Sequence, residues 1–472
     1  MGMIEREDTR TTAPVPPARA RLLAPALAAV LAIALAIWLA ALIGAVRGHL
    51  GVFDFSEYYA VARAVIHDPH ADIYSQAAQM QAVAGMQLPN PPPPYLYPPF
   101  ADLLFIPLAL LPFGTAAAIW LGINTMLWAG CTLLLAHEAH KIMAPALPAW
   151  MSPSARCLLP LALAAILCLA SRPVEQTLAL GQINLLVLAP LALVPMLTRR
   201  GHERGIGVAI AVAAMLKLTP VVLLAYLVLR RRWQALGAAL ATLAALMAVG
   251  VAVHGVAVVP RMIAAQATLS GSTASFANNE SLVGPVVSAL LLAHPGAGSP
   301  VLLARYGVLA LVAVVAGFAL AVRRTSQAQV SAQRDDQWLG EDAAYGAALC
   351  TVILLSPAAW AHHYTWLLAA SVPVAALALR AYLEGRVRRV VPALALLAGL
   401  VMNLPFPFGW DTTNNAGSPL LLGVPVRPFV QELRPLAALL IFALGVYLLR
   451  CFDRVHGGVP AAPGEVAASV AG

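Results

Sequence analysis

Asp54 stands just after the first apolar run of the chain. An acidic residue beside apolar surface needs a partner or a raised pKa, and either suits a general base. The same aspartate also suits the cap of a helix that starts at Phe55. Lys217 is the one cation in the otherwise apolar stretch from Ile206 to Leu229. An ionisable residue there points to function, with phosphate as its natural partner, although a lysine near a helix end can also snorkel to headgroups. Gly181-Gln182-Ile183-Asn184 and Asn279-Glu280-Ser281 bring amides to the edges of apolar segments, where they can bond sugar hydroxyls or cap helices. Ser356-Pro357-Ala358-Ala359-Trp360-Ala361-His362-His363-Tyr364 closes one apolar run and opens the next. Adjacent histidines cannot both face one point on a helix, so no two-ligand metal site is expected. One histidine is expected to face a site and the other solvent or packing. Trp360 and Tyr364 suit an interfacial aromatic belt or a stacking platform for a sugar ring.

The elements that must carry these residues are membrane helices. Of 472 residues, 61% are hydrophobic and 11% charged, with a mean hydropathy of +0.80. A soluble domain has roughly twice that charged fraction. Apolar runs recur almost end to end, many near the ~20 residues that cross a hydrocarbon core. The net charge of +8 sits in short basic clusters between runs, which reads as topological anchoring and not as nucleic-acid binding. The five cysteines lie in or beside apolar runs, without metal-ligand spacing or a disulfide framework.

Residues 1–21 read as a disordered cytoplasmic tail, 22–454 as one transmembrane domain, and 455–472 as a flexible tail. Leu22–Val46 is too long for a signal-peptide core and reads as an uncleaved anchor. The clusters at Arg199–Arg204, Arg230–Arg232, Arg323-Arg324, Arg386–Arg389 and Arg450–Arg454 are placed on one side. Parity of the runs between them then leaves a first outer loop over residues 47–99 and further outer loops at 171–182, 260–300, 356–363 and 405–432. Every polar constellation above falls on that outer face. Lys217-Leu218-Thr219-Pro220 interrupts its run, so two half-helices are expected to dip in and return, with Lys217 near the outer end. Phe100–Pro112 is short enough to read as re-entrant. Asp54 to Val65 has helical periodicity and reads as an amphipathic helix lying in the interface.

The order Asp54-Phe55, Tyr97-Pro98-Pro99, Gly181-Gln182-Ile183-Asn184, Lys217 with Pro220, Asn279-Glu280-Ser281-Leu282 and Ser356-Pro357 with Trp360-Ala361-His362-His363 resembles glycosyltransferase family 87. That group holds bacterial polyprenol-phosphate-mannose-dependent α-1,2-mannosyltransferases. The resemblance runs from about Asp54 to about Leu383. It implies an all-α polytopic protein with a GT-C helix bundle in the bacterial inner membrane, its working face periplasmic. It also implies a polyprenyl-phosphate sugar as donor, an inverting transfer to a glycan or glycolipid acceptor, and no cofactor or metal. By position Asp54 is the implied general base. Lys217 is the implied holder of the donor phosphate, and Tyr97, Gln182, Asn184, Asn279, Trp360, His362 and His363 are the implied substrate-binding set. Glu280 and the loop after Trp410-Asp411 have no reading in this frame.

Two rival readings remain at this level. A lipid-linked-sugar transporter needs polar residues through the full depth of the bundle and an internal repeat, whereas here they gather on one side and no repeat is visible. A non-catalytic envelope-assembly protein would tolerate loss of Asp54.

Overall fold

A computed structural model describes residues 18–47, 53–86, 88, 91–169, 171–273, 280–282, 334–356, 359–403, 420–421, 424–425 and 427–453. The described protein is all-α, apart from a two-residue antiparallel pairing of Leu420–Leu421 with Val424–Pro425. Its helices are α1 (Ala18–Arg47), α2 (Phe53–His67), α3 (Gln76–Ala82), α4 (Ile106–Ala109), α5 (Phe113–Met143), α6 (Pro153–Leu169), α7 (Arg172–Leu180) and α8 (Asn184–Arg199). There follow α9 (Glu203–Leu216), α10 (Leu223–Leu229), α11 (Trp233–His254), α12 (Val258–Thr273), α13 (Arg334–Leu354), α14 (Leu368–Leu383), α15 (Val390–Asn403) and α16 (Arg427–Asp453). The expected run Val301–Val322, the cluster Arg323-Arg324, residues 1–17 and Asn279 lie outside the described residues.

Among the described residues, five segments are long and apolar enough to cross a membrane: Leu22–Ala40, Phe113–Ala146, Trp233–His254, Ala361–Leu383 and Leu433–Phe452. The bent pair α6 and α7 makes up to a sixth. The protein is therefore polytopic. Ala361–Leu383 is buried over most of its length and forms the centre, while α1 and α11 present most of their surface outward, as lipid-facing helices do.

Most runs form the helices expected of them. The break at Lys217 is present: α9 ends at Leu216, Lys217 is extended, and a 3-10 turn at Thr219–Val222 precedes α10. Phe100–Pro112 becomes a 3-10 turn (Asp102–Phe105) and the single turn of α4, too short to cross. One expectation fails. α2 is a helix, but it does not lie at an interface, because residues 54–62, 64 and 65 are nearly all buried. Its aromatics pack inward: Phe55 against Phe105, Phe113 and Trp120, and Tyr58 stacked on Phe105 at 4.6 Å. The periodicity was right and the environment was wrong, because what covers the polar face is protein.

Charged contacts join the basic clusters at one end of the bundle. Arg199 forms a bidentate pair with buried Glu138, Arg232 bonds Glu203 at 2.7 Å, and Arg230 bonds Glu341 at 2.7 Å. Arg380 reaches the Ile142 carbonyl at 3.2 Å, and Arg386 lies over the Phe452 ring at 5.1 Å.

Candidate functional site

Two helix ends shape the site. α7 stops at Gly181, whose φ of 71° is the left-handed conformation that favours glycine. There the Gln182 N–H returns to the Thr177 carbonyl at 2.9 Å and the Gly181 N–H to Leu178 at 3.2 Å. Trp120 Nε1 fixes the turn from α5 by donating to the Gly181 carbonyl at 2.7 Å. Gln182 and Asn184 thus leave one rigid corner, and the chain enters α8.

Gln182 is the hub of one half. Its Nε2 donates to Asp54 Oδ2 at 2.6 Å, while its Oε1 accepts from Tyr58 at 3.1 Å and from Tyr97 at 3.2 Å. The Tyr58 and Tyr97 hydroxyls lie 2.7 Å apart, so the single Tyr58 proton is shared between the Tyr97 oxygen and Gln182 Oε1. A hydroxyl can donate or accept, so it is the ionised Asp54 carboxylate, an acceptor only, that takes the amide N–H. Asp54 is 8% exposed, and α2 is not one of the spanning segments. Burial raises its pKa to about 6, against the opposing pull of the Gln182 bond and the Lys217 charge. Of the two roles open to Asp54, its hydrogen bond goes not to the start of α2 but to a side chain at the corner between α7 and α8.

Asn184 anchors the other half, accepting from Lys217 Nζ at 3.2 Å and donating to Thr177 Oγ1 at 3.4 Å. Lys217 lies over the rings of Tyr97 and Trp366, 5.5 and 5.4 Å from their centroids, at cation–π range. Asp54 and Lys217 therefore each have their own amide partner and form no ion pair with each other. That arrangement keeps a carboxyl group and a lysine separate among buried residues.

The histidine pair closes the pocket. His362 and His363 are both buried, so of the two alternatives for the second histidine it is packing, and not solvent, that the fold provides. The Trp360 N–H donates to His363 Nδ1 at 3.3 Å, so Nε2 carries the ring proton. That buried Nε2 has no hydrogen-bond partner, and neither has Trp366 Nε1. His363 stacks on Trp366 at 5.3 Å, and half-buried Trp360 stacks on His362 at 6.0 Å. Thr177 ties α7 to this turn through Thr365 at 3.1 Å. Lys217 and two unmet N–H donors thus lie near one another, a set suited to an anion.

Asp54, Tyr97, Gln182, Asn184, Lys217, Trp360, His362 and His363 are brought together as the sequence suggests. Sequence reasoning missed Tyr58, Glu57, Thr177 and Trp366. It also gave no reading for Glu280, which proves to be a buried counter-ion: its carboxylate meets Arg434 at 2.5 Å. The Glu280 N–H bonds the Ala359 carbonyl, and Tyr364 donates to the Glu280 carbonyl, both at 2.6 Å. Among the described residues, no three His, Cys, Asp or Glu side chains gather as a metal site would need.

The family model of glycosyltransferase family 87 matches residues 95–357, more than half of the chain. That stretch includes Tyr97, Gln182, Asn184 and Lys217, while Asp54 and the histidine pair enter the site through the geometry above. No curated protein and no solved structure gives a significant match. With an all-α membrane bundle and a buried polar site at its centre, the chain belongs to glycosyltransferase family 87 and is a membrane glycosyltransferase.

Proposed function

We propose that this enzyme transfers a hexose, mannose being the sugar the resemblance favours, from a polyprenyl-phosphate donor to a glycan or glycolipid acceptor at the periplasmic face of a bacterial inner membrane. On this reading the bundle is a GT-C fold. Asp54 takes the proton of the acceptor hydroxyl, and the acceptor oxygen attacks the anomeric carbon. The bond from that carbon to the phosphate oxygen breaks with its electron pair on the phosphate, so the configuration inverts. Lys217, His363 Nε2–H and Trp366 Nε1–H meet the charge that grows on the leaving phosphate. The observation that carries this is the separate anchoring of Asp54 by Gln182 and of Lys217 by Asn184 in one buried pocket. A plain ion pair between the two would leave neither free to act.

The test uses protein in nanodiscs with polyprenyl-phosphate mannose, and a lipid extract of cells lacking the protein as acceptor source. Wild type should release polyprenyl phosphate and label an extract component. Asp54→Asn should lose at least about a hundredfold, the scale of a positioned general base. If a folded Asp54→Asn protein keeps more than a few per cent of the rate, Asp54 is not the base.

A further inference from the structure

Glu57 shares the face of α2 with Asp54, one helical turn along, because residues three apart are neighbours on a helix. Its side chain is buried, at 4% exposure. Its Oε1 has no hydrogen-bond partner. Leu96, near it in the fold, is pinned by Gln266 of α12, which donates to its carbonyl. Glu57 lies within electrostatic reach of both Asp54 and Lys217. Burial first, and the Asp54 charge second, hold it protonated well above the usual carboxylate range. A second base beside Asp54 it is not. In this form it is a neutral donor, with an O–H that nothing in the protein receives.

Where such a donor lies decides what it meets. The proposed function puts the acceptor oxygen at Asp54 and the phosphate at Lys217, with the anomeric carbon between them. A group within electrostatic reach of both lies beside the sugar ring. We infer that Glu57 reads the transferred sugar, its carboxyl O–H donating a hydrogen bond to one ring hydroxyl of the donor hexose. This rests on the assignment of Asp54 and Lys217 above. It makes Glu57 a determinant of donor-sugar choice, because a buried donor left unmet disfavours a sugar that lacks the matching hydroxyl.

The experiment measures affinity in nanodiscs for polyprenyl-phosphate mannose, glucose and galactose, for the monodeoxy forms of the tightest of these, and for polyprenyl phosphate without a sugar. Glu57→Met keeps the volume and removes the donor; Glu57→Ala serves if Met does not fold. The apolar variant should bind the tightest sugar donor about tenfold more weakly and sugar-free polyprenyl phosphate as well as wild type does. Glu57→Gln, whose amide still donates, should stay close to wild type on every probe. One deoxy donor should bind wild type poorly and lose nothing more in the apolar variant. A general packing defect would weaken sugar-free polyprenyl phosphate too, and that result overturns the inference. So does equal loss on every deoxy donor, or no loss on any. If no sugar donor binds wild type, the polyprenyl-phosphate reading itself fails, and the inference falls with it.

Discussion

At Asp54, two pH effects of opposite sign meet. Its folded pKa, about 6, exceeds the ordinary value of 3.8. Between those values the folded state binds the proton that the unfolded state has lost, so stability is greatest below this window and declines as pH rises through about 6. Activity runs the other way, because a base must be ionised. The rate at limiting donor should fall about tenfold per pH unit below this pKa, while the thermal midpoint of detergent-purified protein rises. Asp54→Asn should flatten the thermal profile near pH 6, and an unchanged profile would assign the titration to another group. Lys217→Met should weaken donor binding by about 1.5–3 kcal/mol, the scale of a charge-assisted hydrogen bond, and leave acceptor binding alone. Equal donor affinity in the variant would make Lys217 a structural cation. Both residues were legible in the sequence because a lone charge in apolar surroundings is conspicuous. Tyr58 and Trp366 were not, since aromatics at helical spacing read as core. Glu57 was hidden because a carboxyl on a predicted interfacial helix reads as solvated.

Among the elements, the corner between α7 and α8 does the most for the least sequence. Its glycine and two amides were visible, but only the fold reveals that they face opposite charges. Gly181→Ala forces a side chain into left-handed backbone, at roughly 1–2 kcal/mol. Gln182 and Asn184 hang from that turn, so donor turnover should drop at least about tenfold, more than the stability loss alone accounts for. Normal turnover in a destabilised variant would show that the corner does not set the geometry. A second close approach lies at Gly250 of α11, where a Cβ would sit 2.3 Å from the Pro99 carbonyl. Only the absence of a side chain lets the segment bearing Tyr97 rest there. The sequence marked α2 as a helix but could not say what covered it, because burial depends on partners as remote as α4, α5 and the Pro91–Pro99 segment.

For the whole molecule, sidedness organises everything. The run lengths and basic clusters announced a polytopic bundle, and the contacts of Arg199, Arg230, Arg232, Arg380 and Arg386 join one end of it. With Cys157 and Cys451 replaced by Ser, His202→Cys and Arg388→Cys should be shielded from an impermeant thiol reagent in intact cells, while Met80→Cys and Thr268→Cys should label. Labelling of Arg388→Cys from outside would invert the proposed orientation. The buried pair of Glu280 and Arg434 adds a constraint of another kind. Arg434 belongs to α16, whereas Glu280 holds the Ala359–Tyr364 segment beside the histidines. Chains are made and inserted from the amino end, so every other site residue is in the membrane before Arg434 leaves the ribosome. A nascent chain halted before α16 holds Glu280 without that counter-charge. Synthesis thus acts as a timer: Glu280 meets Arg434 only when α16 arrives.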